Sequence, residues 1–246
     1  MERSILPPMW DVPKVFRERL GERPGRQRVM AADGHLLLVL HLPPTADEVQ
    51  RRGRFFWRKP DGSWTSNDVG GGVAGLSKHL AEYADAVQKF DVMEERATSA
   101  ADYFEVLEGL APLHRAASHL HLVLQEARKT IPEDRNLINF RDLSYEIERT
   151  ADLLYANAKN ALDFQVARRA EEESRSSRQM AVSAFRLNTL AAFFFPLVTL
   201  CAVLGVNMRT GVEDLPPPLP IATLVVAGLV LGATLAFAIN RPDRRC

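Results

Sequence analysis

Apolar and polar positions alternate in short blocks near the start of this chain. They follow a helical period through its middle and fuse into two uncharged runs at its end. The early blocks are residues 28–30 and 35–40, around Ala32-Asp33-Gly34, and residues 54–58 and 63–65, around Pro60-Asp61-Gly62. An Asp-Gly pair between apolar stretches is a hairpin signal, because Gly tolerates positive φ and Asp bonds its own backbone. The pattern predicts a small antiparallel sheet of about four strands, which needs helices over one face. Residues 1–25 carry four prolines and mixed charge, and read as irregular.

Gly70-Gly71-Gly72 forms a joint. It lacks the Gly-Lys-Ser/Thr ending of a phosphate-binding loop, so it reads as a flexible lead into helices. Leu76, Leu80, Tyr83, Val87 and Phe90 then share a helical face, as do Tyr103, Val106, Leu107 and Leu110. Pro112 is expected to break or kink the second of these helices. Leu113, Ala117, Leu120 and Leu124 carry the period on towards Lys129. Residues 130–134 (TIPED) read as a turn, with Thr130 or Ile131 capping, Pro132 in the first helical turn and two acids at the positive dipole end. No Pro or Gly follows until Pro196, while Phe140, Leu143, Ile147, Ala151, Leu154, Ala158 and Ala161 recur at three- and four-residue spacing. The prediction is one long helix from near Pro132 to Asn207, on the order of 110 Å at ~1.5 Å per residue. Residues 168–178 (RRAEEESRSSR) are polar all round and read as a solvated stalk.

The two terminal runs, residues 187–207 and 215–240, are each long enough to cross a bilayer, which takes roughly 20 apolar residues. The overall figures, 246 residues with 46% hydrophobic and 25% charged, suit a soluble protein and hide this segregation. Formal net charge is zero, so no global field points to nucleic acid. The opening MERSILPPMWDVPK lacks the apolar core of a signal peptide, so the first span is expected to act as its own insertion signal. Arg168, Arg169, Arg175, Arg178 and Arg186 precede the first span, and Arg241, Arg244 and Arg245 follow the second. The positive-inside rule then places both termini in the cytoplasm and the intervening loop outside, in a cell (inner) membrane. Cys201 lies within the first span and Cys246 ends the chain, so no disulfide is expected.

The first span reads Pro196-Leu197, then Gly205-Val206-Asn207 nine residues after the proline, followed by a short loop, a second span and a basic tail. This arrangement resembles the CorA metal-ion transporter superfamily, whose first span ends close to "PLTFIAGIYGMN"; here it is PLVTLCAVLGVN, without a gap. The likeness covers about the last quarter of the chain. It implies a membrane α-helical protein with a small α+β N-terminal cytoplasmic region, a long stalk helix continuous with the first span, and a second span. It further implies a homo-oligomer, a pentamer in the family, surrounded by lipid and without nucleic acid or a resident cofactor. The segments would be 1–72 (β-rich), 73–131 (helical), 132–186 (stalk), 187–207 (pore span), 208–220 (external loop), 221–240 (second span) and 241–246 (tail). The N-terminal region is shorter than the family's usual sheet domain.

The resemblance implies that the cargo is a divalent cation, Mg2+ foremost, and that Gly205, Val206 and Asn207 form the selectivity motif. The chemistry is sound, since Mg2+ loses its water shell reluctantly and a ring of Asn207 carbonyl oxygens accepts hydrogen bonds from that shell. For Asn207 alone, capping of the helix end is the alternative. The same helix face traced inward gives Ala202, Val198, Phe195, Ala191 and Asn188, with Leu187 beside it at the inner boundary; the resemblance makes these the pore-lining candidates, and ordinary helix packing is the alternative for the apolar ones. Asn188 is polar inside a span and should face a pore or a neighbouring helix. Phe195 and Leu187 are candidates for apolar rings that gate by dewetting. Thr199 falls off this stripe and is expected to bond back to a backbone carbonyl. Glu213 and Asp214 in the external loop would concentrate cations at a pore mouth; an ordinary solvated loop is the alternative.

Val206 and Leu204 stand where magnesium members carry Met and an aromatic, a form closer to the zinc branch, and Arg209 puts a positive charge near the mouth. Two roles without conduction also fit the pattern: a membrane-anchored scaffold or sensor, and a helical protein whose membrane hairpin only dimerises. His114, His119 and His121 read as surface or core histidines without a completed metal site. Asp142, Glu146 and Glu148 are candidates for inter-subunit regulatory metal sites, and no metal-ligand set is assigned. RFFWR (residues 54–58) reads as a strand before it reads as a nucleic-acid patch. No nucleophile–base arrangement suggests an enzyme.

Overall fold

The computed structural model describes residues 5–45, 50–205, 216 and 218–240. The chain divides into two units, Met1–Ala167 and Arg168–Cys246.

The first unit is α+β. Strands β1 (Arg28–Ala32), β2 (His35–His41), β3 (Gly53–Arg58) and β4 (Trp64–Ser66) form one antiparallel sheet in that spatial order. Ala32 pairs with His35 across a two-residue turn in which Asp33 (φ 50) and Gly34 (φ 75) both take positive φ, the geometry that Asp-Gly supplies most readily. The second hairpin turns at Gly62 (φ 83), with Asp61 accepting from the Ser63 backbone and hydroxyl.

Successive strand residues point to opposite faces, and both faces of this sheet are covered. Leu36, Leu38, Leu40, Phe56 and Trp64 pack against helices. Leu37, Val39, Phe55 and Trp57 pack against Leu6, Trp10, Val12 and Phe16 of the opening segment. That segment is irregular apart from the five-residue helix α1 (Lys14–Glu18), as its prolines require. It is nonetheless part of the core, held down by Arg17 Nη2 donating to the carbonyls of Pro7 (3.1 Å) and Trp10 (2.7 Å).

The helical side consists of α2 (Val73–Arg96), α3 (Ala100–Thr130) and the first part of α4 (Arg135–Gly205). A Ser99–Asp102 capping box starts α3. Pro112 does not end α3: the helix continues to Thr130, and its inward face of Val106, Leu110, Leu113, Ala117, Leu120 and Leu124 is buried on both sides of the proline. Tertiary packing outweighs the one ladder bond that Pro lacks.

Two further expectations are corrected. Thr130 and Ile131 do not cap the long helix. Thr130 closes α3, its hydroxyl donating to Glu126 O at 2.9 Å. Asp134 starts α4 by accepting from the Asn136 amide at 2.9 Å, and its other oxygen takes Arg58 Nε at 2.6 Å. Leu143 is not on the buried face of α4, being 38% exposed, whereas Ser144 is fully buried. Ser144 can sit inside because its hydroxyl donates to Arg141 O and meets His121 Nδ1 at 3.1 Å.

In the second unit, α4 continues to Gly205 and α5 spans Leu219–Asn240. Residues 168–188 are exposed throughout, with Arg168–Glu172 and Arg175–Glu171 pairing one helical turn apart. Both units therefore carry parts of one helix with different surroundings: a core face up to Ala158 and solvated polar residues after 167.

Candidate ion-conduction surface

Two helices here are long and apolar enough to cross a membrane, the end of α4 and α5. Two glycines decide how they meet. Gly228 and Gly232 are buried on α5, four residues apart and so on one face. A Cβ on Gly228 would lie 2.6 Å from Leu197 Cδ1 and 3.2 Å from Leu197 Cα. A Cβ on Gly232 would strike the Phe193 carbonyl oxygen. The helix backbones approach closely because these positions carry no side chain. The G-x-x-x-G spacing, Gly228-Leu229-Val230-Leu231-Gly232, is a sequence signal for this contact.

This packing sorts the faces of the first span. Ala192, Phe193, Pro196, Leu197 and Leu200 are partly covered. Leu187, Asn188, Ala191, Phe195, Val198 and Ala202 are all exposed, Phe195 by 72%. The six predicted stripe residues thus share a side of α4 that α5 leaves open. Thr199 bonds back to Phe195 O at 2.8 Å, as expected for an isolated hydroxyl in an apolar helix. Cys201 is a free, exposed thiol. Gly205 ends α4. Val206, Asn207, Arg209, Glu213 and Asp214 lie outside the described residues, as do Cys246 and the basic tail.

The first unit holds a polar cluster that no sequence pattern announced. Arg54 on β3 is 5% exposed and pairs with Glu82 of α2 (2.6 Å) and Asp68 of the loop before α2 (2.9 Å). Its Nη1 also donates to His79 Nδ1 at 3.0 Å, which places the His79 proton on Nε2. His79 is fully buried, between Phe56 and Tyr83. Burial, then the Arg54 charge and then His41, push its pKa down to about 3, so it is neutral at pH 7. RFFWR is accordingly a buried strand and no exposed nucleic-acid patch.

His114 and His121 on α3 each meet a carboxylate of α4. His114 Nε2 contacts Asp152 and stacks on Tyr155. His121 Nε2 lies 3.9 Å from Glu148. Among the described residues no three His, Cys, Asp or Glu side chains converge as a metal site. Asp142 pairs with its neighbour Arg141 at 2.5 Å.

The chain thus combines a small α+β unit, a helix that runs on into an apolar segment, and a second apolar helix packed on that segment. In fold, the chain is similar to a solved structure over most of its length. The solved structure described as "structure of the full-length CmaX protein" matches with a TM-score of 0.53 at 12% identity, covering 93% of this chain and 80% of that one. "The complete structure of CorA magnesium transporter from Methanocaldococcus jannaschii" matches with a TM-score of 0.38 at 12% identity over 90% of this chain and 81% of that one, too low a score to weigh. No family model and no curated protein matches the sequence.

Proposed function

We propose that this chain is one subunit of a CorA-like channel for divalent cations, Mg2+ foremost, in which a ring of Asn207 receives the hydrated ion. The observation that supports this reading is the open side of the first span. α5 occupies the Phe193–Leu197 side through Gly228 and Gly232, while Asn188, Ala191, Phe195, Val198 and Ala202 stay exposed. A polar Asn188 on an uncovered face within an apolar helix calls for a wet surface or a neighbouring subunit. Two helices cannot enclose a pore, so the reading requires a ring of copies, and a pentamer is the form that the CorA resemblance suggests. The α5 surface away from its glycines, with Ile221, Val226 and Val230 exposed, suits lipid. Both termini would then lie in the cytoplasm.

The triplet itself favours a second ion, because Val206 and Leu204 replace the residues of the magnesium form. Flux with Mg2+ and Zn2+ in competition separates the two. The decisive variant is Asn207→Ala in proteoliposomes loaded with a divalent-ion indicator. Loss of most uptake at unchanged oligomer mass supports the ring. Wild-type uptake in that variant refutes it, and a dimer by mass measurement in detergent points to a scaffold.

A further inference from the structure

A cleft of about 430 Å³ lies between the start of β1 and α3 in the first unit, far along the chain from the proposed pore. Its walls include Arg26, Arg28 and Val29 on one side and His119, Leu122 and Glu126 on the other. Three hydrogen bonds hold it rigid. Gln27 Nε2 donates to Ala116 O (2.8 Å), Gln27 Oε1 accepts from the His41 backbone amide (3.3 Å), and His41 Nε2 donates to Gly25 O (2.7 Å). Arg28 Nη1 is fixed by the carbonyls of Pro24 (3.0 Å) and Arg26 (3.2 Å), so its guanidinium is placed before any ligand arrives. Among the described residues no carboxylate pairs with Arg26 or Arg28. Partial burial and then the like charge of Arg26 push the Arg28 pKa down.

We propose that this cleft binds a small phosphate-bearing metabolite of nucleotide size. Arg26 and Arg28 would take the phosphate, and the body would lie on Val29 and Leu122. Guanidinium forks match phosphate oxygens bidentately, and a cleft of this volume is in the range of small-ligand sites, roughly 300–1,000 Å³. Leu122 is 54% exposed and offers an apolar floor beside the charged end. Glu126 is the one opposing charge on the walls, and it should weaken anion binding.

The test is calorimetric titration of ADP, inorganic phosphate and adenosine into the full chain in phosphatidylcholine nanodiscs. ADP should bind saturably, phosphate should compete with it, and adenosine should bind far more weakly. Arg26 is exposed and its side chain makes no hydrogen bond or ion pair among the described residues, so Arg26→Gln should fold normally and weaken ADP by about tenfold, the loss of one charge-assisted contact. Glu126→Gln should tighten ADP severalfold, a gain that misfolding cannot mimic. The proposal is overturned by no saturable ADP binding at millimolar concentration, or by unchanged affinity in both variants. Displacement of ADP by phosphatidylglycerol in the nanodisc would also overturn it, since the occupant would then be a lipid headgroup.

Discussion

The buried His79 gives the first unit a defined acid sensitivity. Its pKa falls from an ordinary 6.5 to about 3 in the fold. Above pH 6.5 the ring is neutral in both states and costs nothing. As pH falls through 6.5 the unfolded chain takes up a proton that the folded chain refuses, so stability declines until pH 3 is reached. Each pK unit corresponds to ~1.4 kcal/mol, which sets a ceiling near 5 kcal/mol for the whole shift and about 2 kcal/mol at pH 5. The ring is fully buried, so solvent screening does not reduce this. For a unit of this size, about 2 kcal/mol lowers Tm by about 4–8 °C. His79→Gln keeps an acceptor for Arg54 and removes the titration. All three tryptophans, Trp10, Trp57 and Trp64, lie in this unit, so intrinsic fluorescence reports its unfolding in the detergent-solubilised full chain. Asp61 and Asp102 are held below the usual carboxylate range by their hydrogen bonds to Ser63 and to the Thr98 and Ser99 amides, and titrate outside the window. The variant should lose about 2 kcal/mol less than wild type between pH 7 and pH 5. Parallel declines in the two proteins would refute the argument.

Other outcomes follow from single contacts. Gly232→Ala forces a methyl onto the Phe193 carbonyl oxygen and should cost about 1–3 kcal/mol of hairpin stability, more than Gly228→Ala, whose nearest neighbour is the movable end of Leu197; thermal melts in one detergent compare them. Asp134→Ala removes both the α4 cap and the partner of the half-buried Arg58, whereas Asp134→Asn keeps the cap, so denaturant unfolding should separate the two by about 1 kcal/mol. Arg54→Met leaves Glu82 and Asp68 without their shared cation. Because both acids reach solvent, the cost should stay near 2 kcal/mol, below the ~3–5 kcal/mol of a wholly buried pair.

Local chemistry was the part of the fold that the sequence disclosed. Asp33-Gly34 named its own turn, and the helical period placed α2, α3 and α4 because each buries one face. What escaped was long-range. Leu6, Trp10, Val12 and Phe16 have no period, since an irregular segment covers a sheet without repeating. Yet the unbroken run Leu36-Leu37-Leu38-Val39-Leu40 was itself a sign of two-sided burial, for a half-exposed strand would alternate. Arg54, His79 and Glu82 come from a strand and a helix, and only the fold brings them together. The boundary between α3 and α4 lies a few residues from its expected place because Thr130, Ile131 and Asp134 all suit a cap, and Arg58 on a distant strand made the choice. On the first span, helical geometry alone put Asn188, Ala191, Phe195, Val198 and Ala202 on one side. The partner face was not legible there, because it is written in the second span, at Gly228 and Gly232.

The last residue of the first unit's core is Ala158, some thirty positions before the first apolar span begins at Leu187. Both layers of the sheet, including the cover made by Leu6, Trp10, Val12 and Phe16, are therefore synthesised ahead of these two apolar segments. A ribosome can release a closed domain before the span emerges. A closed domain resists threading through a translocation channel. For spans that enter a bilayer, the timing of folding would therefore act on the side kept by the first unit, together with the arginines that flank the spans.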